Sequence, residues 1–229
     1  LVEVIALRTL SERDPLDQVL ATFGLILFFN ELVATIWGRA AIHTGVPAAL
    51  SGSIELIPGL RYPTYRATII VVGLAVAGLL YVLVTHTRIG MLIRAGASNR
   101  TMVSALGVNV RLLYTGVFGL GAALAALAGL MAGPIFAVQP GMGEQILIQV
   151  FVVIVVGGIG SVRGAFIGAL VVGMVDTLGR AFLRPLLATV LSTAAANTAG
   201  PAMASILIYV LMAAVLFFRP QGLFPATRG

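Results

Sequence analysis

ATIIVVGLAVAGLLYVLV, Ala67 to Val84, is a run of 18 residues without one charge. As a helix rising 1.5 Å per residue it is about 27 Å long, close to the about 30 Å hydrocarbon core of a bilayer. Apolar runs of spanning length recur at Leu16 to Trp37, Leu112 to Val138, Ile146 to Gly160, Gly164 to Leu183 and Ala202 to Phe218. The chain of 229 residues therefore reads as an all-α, multi-pass transmembrane helical bundle with about six spans, a single transmembrane domain over 1–229. The two runs around Gly157 to Gly164 are parted only by a Gly/Ser/Arg turn. They predict either a tight helical hairpin or shortened helices that meet inside the protein.

Composition agrees. Hydrophobic residues make up 59% and charged residues 10%, too few polar side chains to coat a soluble particle of this size or to keep the chain disordered. The net charge of +6 comes from 14 basic residues that are all arginine. They lie between apolar runs rather than on one face, which favours membrane topology over nucleic-acid binding. With no lysine there is no Walker A lysine, Schiff-base lysine or lysine base, so any ATP hydrolysis belongs to a partner. With no cysteine there is no disulfide, thiolate nucleophile or thiolate metal site.

Arginine placement sets the expected orientation. Thr85 to Arg111 carries Arg88, Arg94, Arg100 and Arg111 with no acid, and the C-terminal tail carries Arg219 and Arg228, so both are expected in the cytoplasm. An even number of spans puts the amino end there too, with Arg8 and Arg13, and leaves the Gln139 to Gln145 link, with Glu144, outside. Arg61 and Arg66 fit poorly, since the Gly/Pro/Ser-rich stretch Ile42 to Pro63 reads as a long outer loop. Pro185 to Pro201 is apolar but too short to span and is expected at the interface. The chain opens at Leu1, not at Met, inside what reads as the end of an apolar helix (Leu1 to Leu7) with no signal-peptide pattern, as in a truncated start.

Small residues fall four apart at Gly121, Ala125, Gly129 and Gly133, and again at Gly160, Gly164 and Gly168, close after Gly157 and with Ala165 and Ala169 beside them. In lipid such ridges let helix backbones approach closely, so both are read as packing stripes. Gly119-Leu-Gly121 follows no strand and is not a dinucleotide loop.

The stretch 85–111 is long for a connection. Gly90 and Gly107 punctuate it, and Met91, Leu92, Ala95, Met102, Val103 and Leu106 stand at helical spacing, as in one or two short amphipathic helices. Physics alone leaves two readings open: a docking surface, or a basic loop that sets topology and lies on anionic lipid.

Here a resemblance enters. Gly90-Met91-Leu-Ile-Arg94-Ala95, then Asn99, Ala105, Leu106 and Gly107-Val-Asn, resembles the cytoplasmic coupling motif of permeases in branched-chain amino acid ABC importers. Val155-Val-Gly157-Gly-Ile-Gly160-Ser-Val-Arg-Gly164-Ala-Phe-Ile-Gly168 is similar to their glycine-rich signature, and Pro140-Gly-Met-Gly-Glu and Glu12 to Leu25 also fit. Four segments agree in order over essentially the whole chain. The resemblance implies a bacterial inner-membrane permease pairing with a second related permease, two cytoplasmic ATPase subunits and a periplasmic amino acid binding protein. It also implies ATP use by those ATPases, with no cofactor bound by this chain. Urea and short-chain amide importers use similar permeases and remain an alternative solute class.

Polar groups inside spans are costly and draw functional suspicion. Asn30, Glu31, Gln149 and Asp176 are the candidates. Asp176 and Arg180 stand four apart, the spacing of an internal ion pair near the outer interface. Glu31 and Glu144 are expected to be solvated or to face a docking protein, and His43 and His86 lack partner ligands for a metal. No substrate site is assigned. An ion-coupled secondary transporter would need buried carboxylates and has Asp176 as its one support. An integral-membrane enzyme would need a His/Asp/Glu cluster, and none is present.

Overall fold

The computed structural model describes residues 14–57, 60–189 and 192–224. The apolar start at Leu1 to Leu7, Arg8, Arg13 and Arg228 lie outside them. The chain divides into two compact units, 1–142 and 143–229.

The first unit holds α1 (Pro15–Trp37), a hairpin of β1 (Ser53–Ile57) and β2 (Leu60–Pro63), α2 (Thr64–His86), the short helices α3 (Arg88–Ser98) and α4 (Arg100–Ala105), and α5 (Val110–Ala132). The helices α1, α2 and α5 have 23 residues each. At about 35 Å they reach through the hydrocarbon core, and none of their most apolar windows is buried within the chain. Their exposed side chains, Leu20, Phe23 and Phe28 on α1 and Val71 and Leu74 on α2, are the surface that lipid or another subunit covers.

The loop expected at 42–63 contains the antiparallel hairpin, in which Arg61 stands opposite Glu55. Arg39, beyond the end of α1, pairs with Glu31 at 2.8 Å, both side chains mostly exposed. Opposite charges across a strand pair attract, and Arg61 and Arg66 keep their place at the hairpin that precedes α2. Two ties hold the end of this unit. Ile42 and Val138 exchange backbone hydrogen bonds of 2.9 Å, and the Tyr65 hydroxyl at the start of α2 donates to the Met131 carbonyl of α5 at 3.0 Å. Tyr65 is buried, so its hydroxyl needs that partner.

The second unit holds α6 (Met142–Gly157), α7 (Val162–Ala188) and α8 (Thr193–Phe218). Five helices among the described residues are long and apolar enough to cross a membrane, and α6, the sixth candidate, has 16 residues. That is about 24 Å, short of the hydrocarbon core, so the pair around Gly157 to Gly164 is one shortened helix followed by a long one. Of the stretch 185–201, expected at the interface, residues 185–188 complete α7 and 193–201 begin α8, helices of 27 and 26 residues. Both prolines lie inside these helices, Pro185 in α7 and Pro201 in α8, where the sequence pattern alone would have ended them.

The core of this unit is Val152 and Val156 of α6, Val172 of α7 and Ile208 of α8. Two polar links tie the far ends of the long helices. Arg180 donates to Asp176 at 2.9 Å, the expected ion pair, and Arg184 donates to Asn197 across the α7–α8 pair at 2.7 Å. Asp176 is thereby engaged by a cation of its own helix, which removes the support it lent to ion-coupled transport.

Candidate functional site

The stretch between α2 and α5 is built as a small rigid module by its capping residues. Thr87 is the N-cap of α3, accepting from the Gly90 amide at 3.1 Å while donating to the Leu83 carbonyl of α2. Asn99 caps α4 by accepting from the Met102 amide at 3.0 Å, and Asn109 caps α5 by accepting from the Leu112 amide at 3.1 Å. Each such cap is worth about 1 kcal/mol. Gly107 has φ +81°, a left-handed conformation that reverses the chain after α4 and suits glycine.

Two residues lock α3 to the end of α2. A side chain at Gly90 would collide with the Leu83 and Val84 carbonyls, so only glycine lets the two helices meet so closely. The Arg94 guanidinium donates to the Val84 carbonyl, one of the orphan acceptors of the last turn of α2. At the other side the Tyr114 hydroxyl of α5 donates to the Gly96 carbonyl of α3 at 3.1 Å, and Val103 of α4 is buried.

The residues singled out from the sequence therefore divide. Gly90, Arg94, Asn99 and Gly107 fix the geometry through a close approach, two hydrogen bonds and a turn, whereas Met91, Ala95, Ala105 and Leu106 are exposed and make no such tie. Met91 is 56% exposed, Met102 63% and Leu106 78%, values that leave these apolar side chains without cover in the chain. Thr87, Asn109, Tyr114 and Val103 complete the module and were not singled out as anchors. A Thr or Asn just before an apolar periodic run, as at 87, 99 and 109, is a cap signal that would have found three of the caps.

The glycine stripes separate as well. Gly157 and Gly164 face each other so closely that a Cβ on either would strike the other's carbonyl, and one on Gly168 would meet the Val153 carbonyl at 2.6 Å. Gly160 turns the chain with φ +84°. On α5, a Cβ added at Gly121 or Gly129 would find no neighbour within 4 Å, Ala125 is exposed, and only Gly133 meets others, Thr44 at 3.3 Å and Val138 at 3.4 Å. The α5 ridge from Gly121 to Gly129 thus packs against nothing in this chain among the described residues, because four-residue spacing defines a smooth helix face without defining what meets it.

Of the other polar candidates, Glu144, Gln149 and His43 are exposed, and the His86 ring nitrogen lies 2.6 Å from the Thr85 hydroxyl. Among the described residues no three His, Cys, Asp or Glu side chains stand together as a metal would require. Nor does any set of side chains among them form a defined solute site.

Comparison with known proteins gives one family. The family described as "Branched-chain amino acid transport system / permease component" matches residues 6–216. The chain is 27% identical to the high-affinity branched-chain amino acid transport system permease protein BraD of Pseudomonas aeruginosa, over 97% of this chain and 68% of that protein. It is 28% identical to the permease protein LivH of Escherichia coli, over 79% of this chain and 59% of that one. It is 27% identical to a probable LivH of Methanocaldococcus jannaschii, over 77% of this chain and 52% of that one. The chain thus spans between about half and about two thirds of the length of these relatives. No solved structure matches it.

Proposed function

Because the chain belongs to the family of branched-chain amino acid transport permease components, we propose that it is the membrane-spanning subunit of an ATP-driven importer of branched-chain amino acids. It is a multi-pass inner-membrane protein whose relatives are named as permeases, and its work is mechanical rather than chemical. Its partners are a second related permease, two cytoplasmic ATPase subunits and a periplasmic amino acid binding protein. It binds no cofactor, and the ATP is hydrolysed by the ATPases.

The single observation that carries the mechanism is the α3–α4 module, which shows Met91, Met102 and Leu106 to its surroundings while Gly90, Arg94 and Tyr114 bind it to α2 and α5. The exposed apolar residues are the surface on which an ATPase docks, and the tying residues are the joints. Closure of the ATPases displaces the module, and the joints pass that displacement into α2 and α5 as a rigid-body shift of two spans. Such a shift follows ATP binding only if the ATPases hold the module differently in their open and closed states.

Uptake of labelled leucine into vesicles tests this reading, using the full-length protein with its partner permease, ATPases and binding protein. We expect uptake that requires ATP and is competed by isoleucine and valine but not by urea or acetamide. ATP-dependent uptake of urea or amide in place of leucine would overturn the solute, and uptake without ATP would overturn the mechanism.

A further inference from the structure

The short helix α6 ends on carbonyls that no residue of its own helix can satisfy. Its last carbonyls lack helical partners, and α6, with 16 residues and about 24 Å, is shorter than an about 30 Å apolar layer. Backbone groups left unsatisfied away from water are costly, and something must bond them.

The segment after α8 does so. Beyond Phe218 the chain turns, with the Gly222 amide donating to the Arg219 carbonyl at 2.9 Å, and runs back along the end of α6. The Leu223 amide donates to the Val156 carbonyl at 2.9 Å and the Phe224 amide to the Gly157 carbonyl at 3.0 Å. Leu223 also packs on the core formed by Val152, Val156, Val172 and Ile208, so backbone and side chain hold together.

The crossing is made by two glycines. Gly158 and Gly222 have φ of +104° and +81°, both in the region that side chains disfavour. A Cβ on Gly222 would lie 2.5 Å from the Gly158 Cα and 2.9 Å from the Val155 carbonyl oxygen, and one on Gly158 would lie 2.7 Å from the Phe224 carbonyl oxygen. These neighbours are backbone and cannot turn aside. The Gly/Gly crossing therefore has no room for any other residue pair.

We propose that residues 219–224 are a strap that caps α6 and holds this short helix on the α7–α8 pair, so that the placement of α6 is conditional on the strap. The inference goes beyond the transport reading and stands whether or not that reading does. Release of the strap leaves the Val156 and Gly157 carbonyls open and uncovers the α6 end of the core, while the far end of the α7–α8 pair, where Gly179 packs on Ala204, keeps its own contacts.

Residues 1–229 contain no cysteine, so a thiol introduced among them can be followed by itself. Val156 and Ala204 are each fully buried, one under the strap and one in the α7–α8 contact. Val156→Cys and Ala204→Cys, introduced one at a time into the full chain in membranes, are labelled with a small maleimide with and without Gly222→Val. The strap predicts labelling of Val156→Cys faster by about tenfold or more in the Gly222→Val background, with Ala204→Cys unchanged, as for a local opening. Unchanged labelling of Val156→Cys overturns the proposal. Equal increases at both positions overturn it too, since the segment would then be an ordinary part of the whole unit. If Gly222→Val fails to insert, Leu223→Ala decides: it keeps the backbone bonds and removes the packing, and it too must raise labelling of Val156→Cys alone.

Discussion

Valine at Gly164 should prevent the protein from accumulating in a folded form, whereas valine at Gly121 or Gly129 should not. At Gly164 the new side chain meets the Gly157 carbonyl oxygen, with the carbonyl carbon at 2.8 Å and the Ser161 Cβ at 3.1 Å. Gly157 meets Gly164 in the same way, so neither helix can yield without separating α6 from α7. Ordinary overpacking costs about 1–3 kcal/mol when side chains can rearrange, and here the obstacle is backbone. The loss therefore reaches or passes the top of that range, against a total stability of about 5–15 kcal/mol for a typical domain. At Gly121 and Gly129 nothing among the described residues would lie within 4 Å of the added carbon. The check is the monodisperse yield of each variant after detergent extraction, and a Gly164→Val protein that behaves like Gly121→Val would refute the close packing of α6 on α7.

Aspartate at both Met102 and Leu106 should abolish coupled uptake while leaving the protein inserted. These side chains stand four apart, are 63% and 78% exposed, and contribute little to the internal packing of the module, so their loss is cheap for the chain itself. Against a docked ATPase the cost is different. Burial of a Met or Leu side chain is worth about 1.5–3 kcal/mol, and placing a carboxylate in the same pocket adds a desolvation penalty. Losing even one such contact lowers ATPase affinity by about tenfold, and losing two lowers it by about a hundredfold or more, at about 1.4 kcal/mol per decade. ATP-dependent uptake should fall accordingly, with insertion and monodispersity unchanged. Wild-type uptake in the double variant would remove these residues from the contact.

Much of the fold was legible in the sequence, and the missing parts have physical causes. Uninterrupted apolar length marks a span well: four of the five long helices cover runs read from the sequence, such as Thr64–His86 for 67–84, while Val110–Ala132 stops short of the end of 112–138, at Gly133 and Pro134. Length could not say whether 146–160 reaches across, because an apolar helix of 16 residues has the same composition as a longer one. In 185–201, Pro185 and Pro201 look like stops, yet both lie inside helices, which in lipid tolerate proline when neighbours resupply the bonds. The hairpin at 53–63 escaped notice since its strands have only five and four residues.

At the site, the spacing of Met91, Leu92, Ala95, Met102, Val103 and Leu106 predicts short amphipathic helices; Met91, Met102 and Leu106 are exposed whereas Val103 is buried, and spacing gives no hint that Arg94 turns back onto α2. An arginine in a basic loop reads as a topology signal, and here it also fills a helix end. The tail strap was invisible because it pairs residues near 156 with residues near 223, and no local pattern reports a long-range pairing.

If the α3–α4 module is where the ATPase meets the permease, a probe on its exposed face must touch the ATPase. Cysteine placed at Leu106, as the one cysteine of the permease, alkylated with a photoactivatable crosslinker and irradiated in membranes holding the complete transporter, tests this most directly; residues 1–229 contain none of their own. We expect a crosslinked product of permease and ATPase, with none from the same label at Phe182, which is 69% exposed on α7. A label at Leu106 that joins lipid and never the ATPase would contradict the docking role of the module.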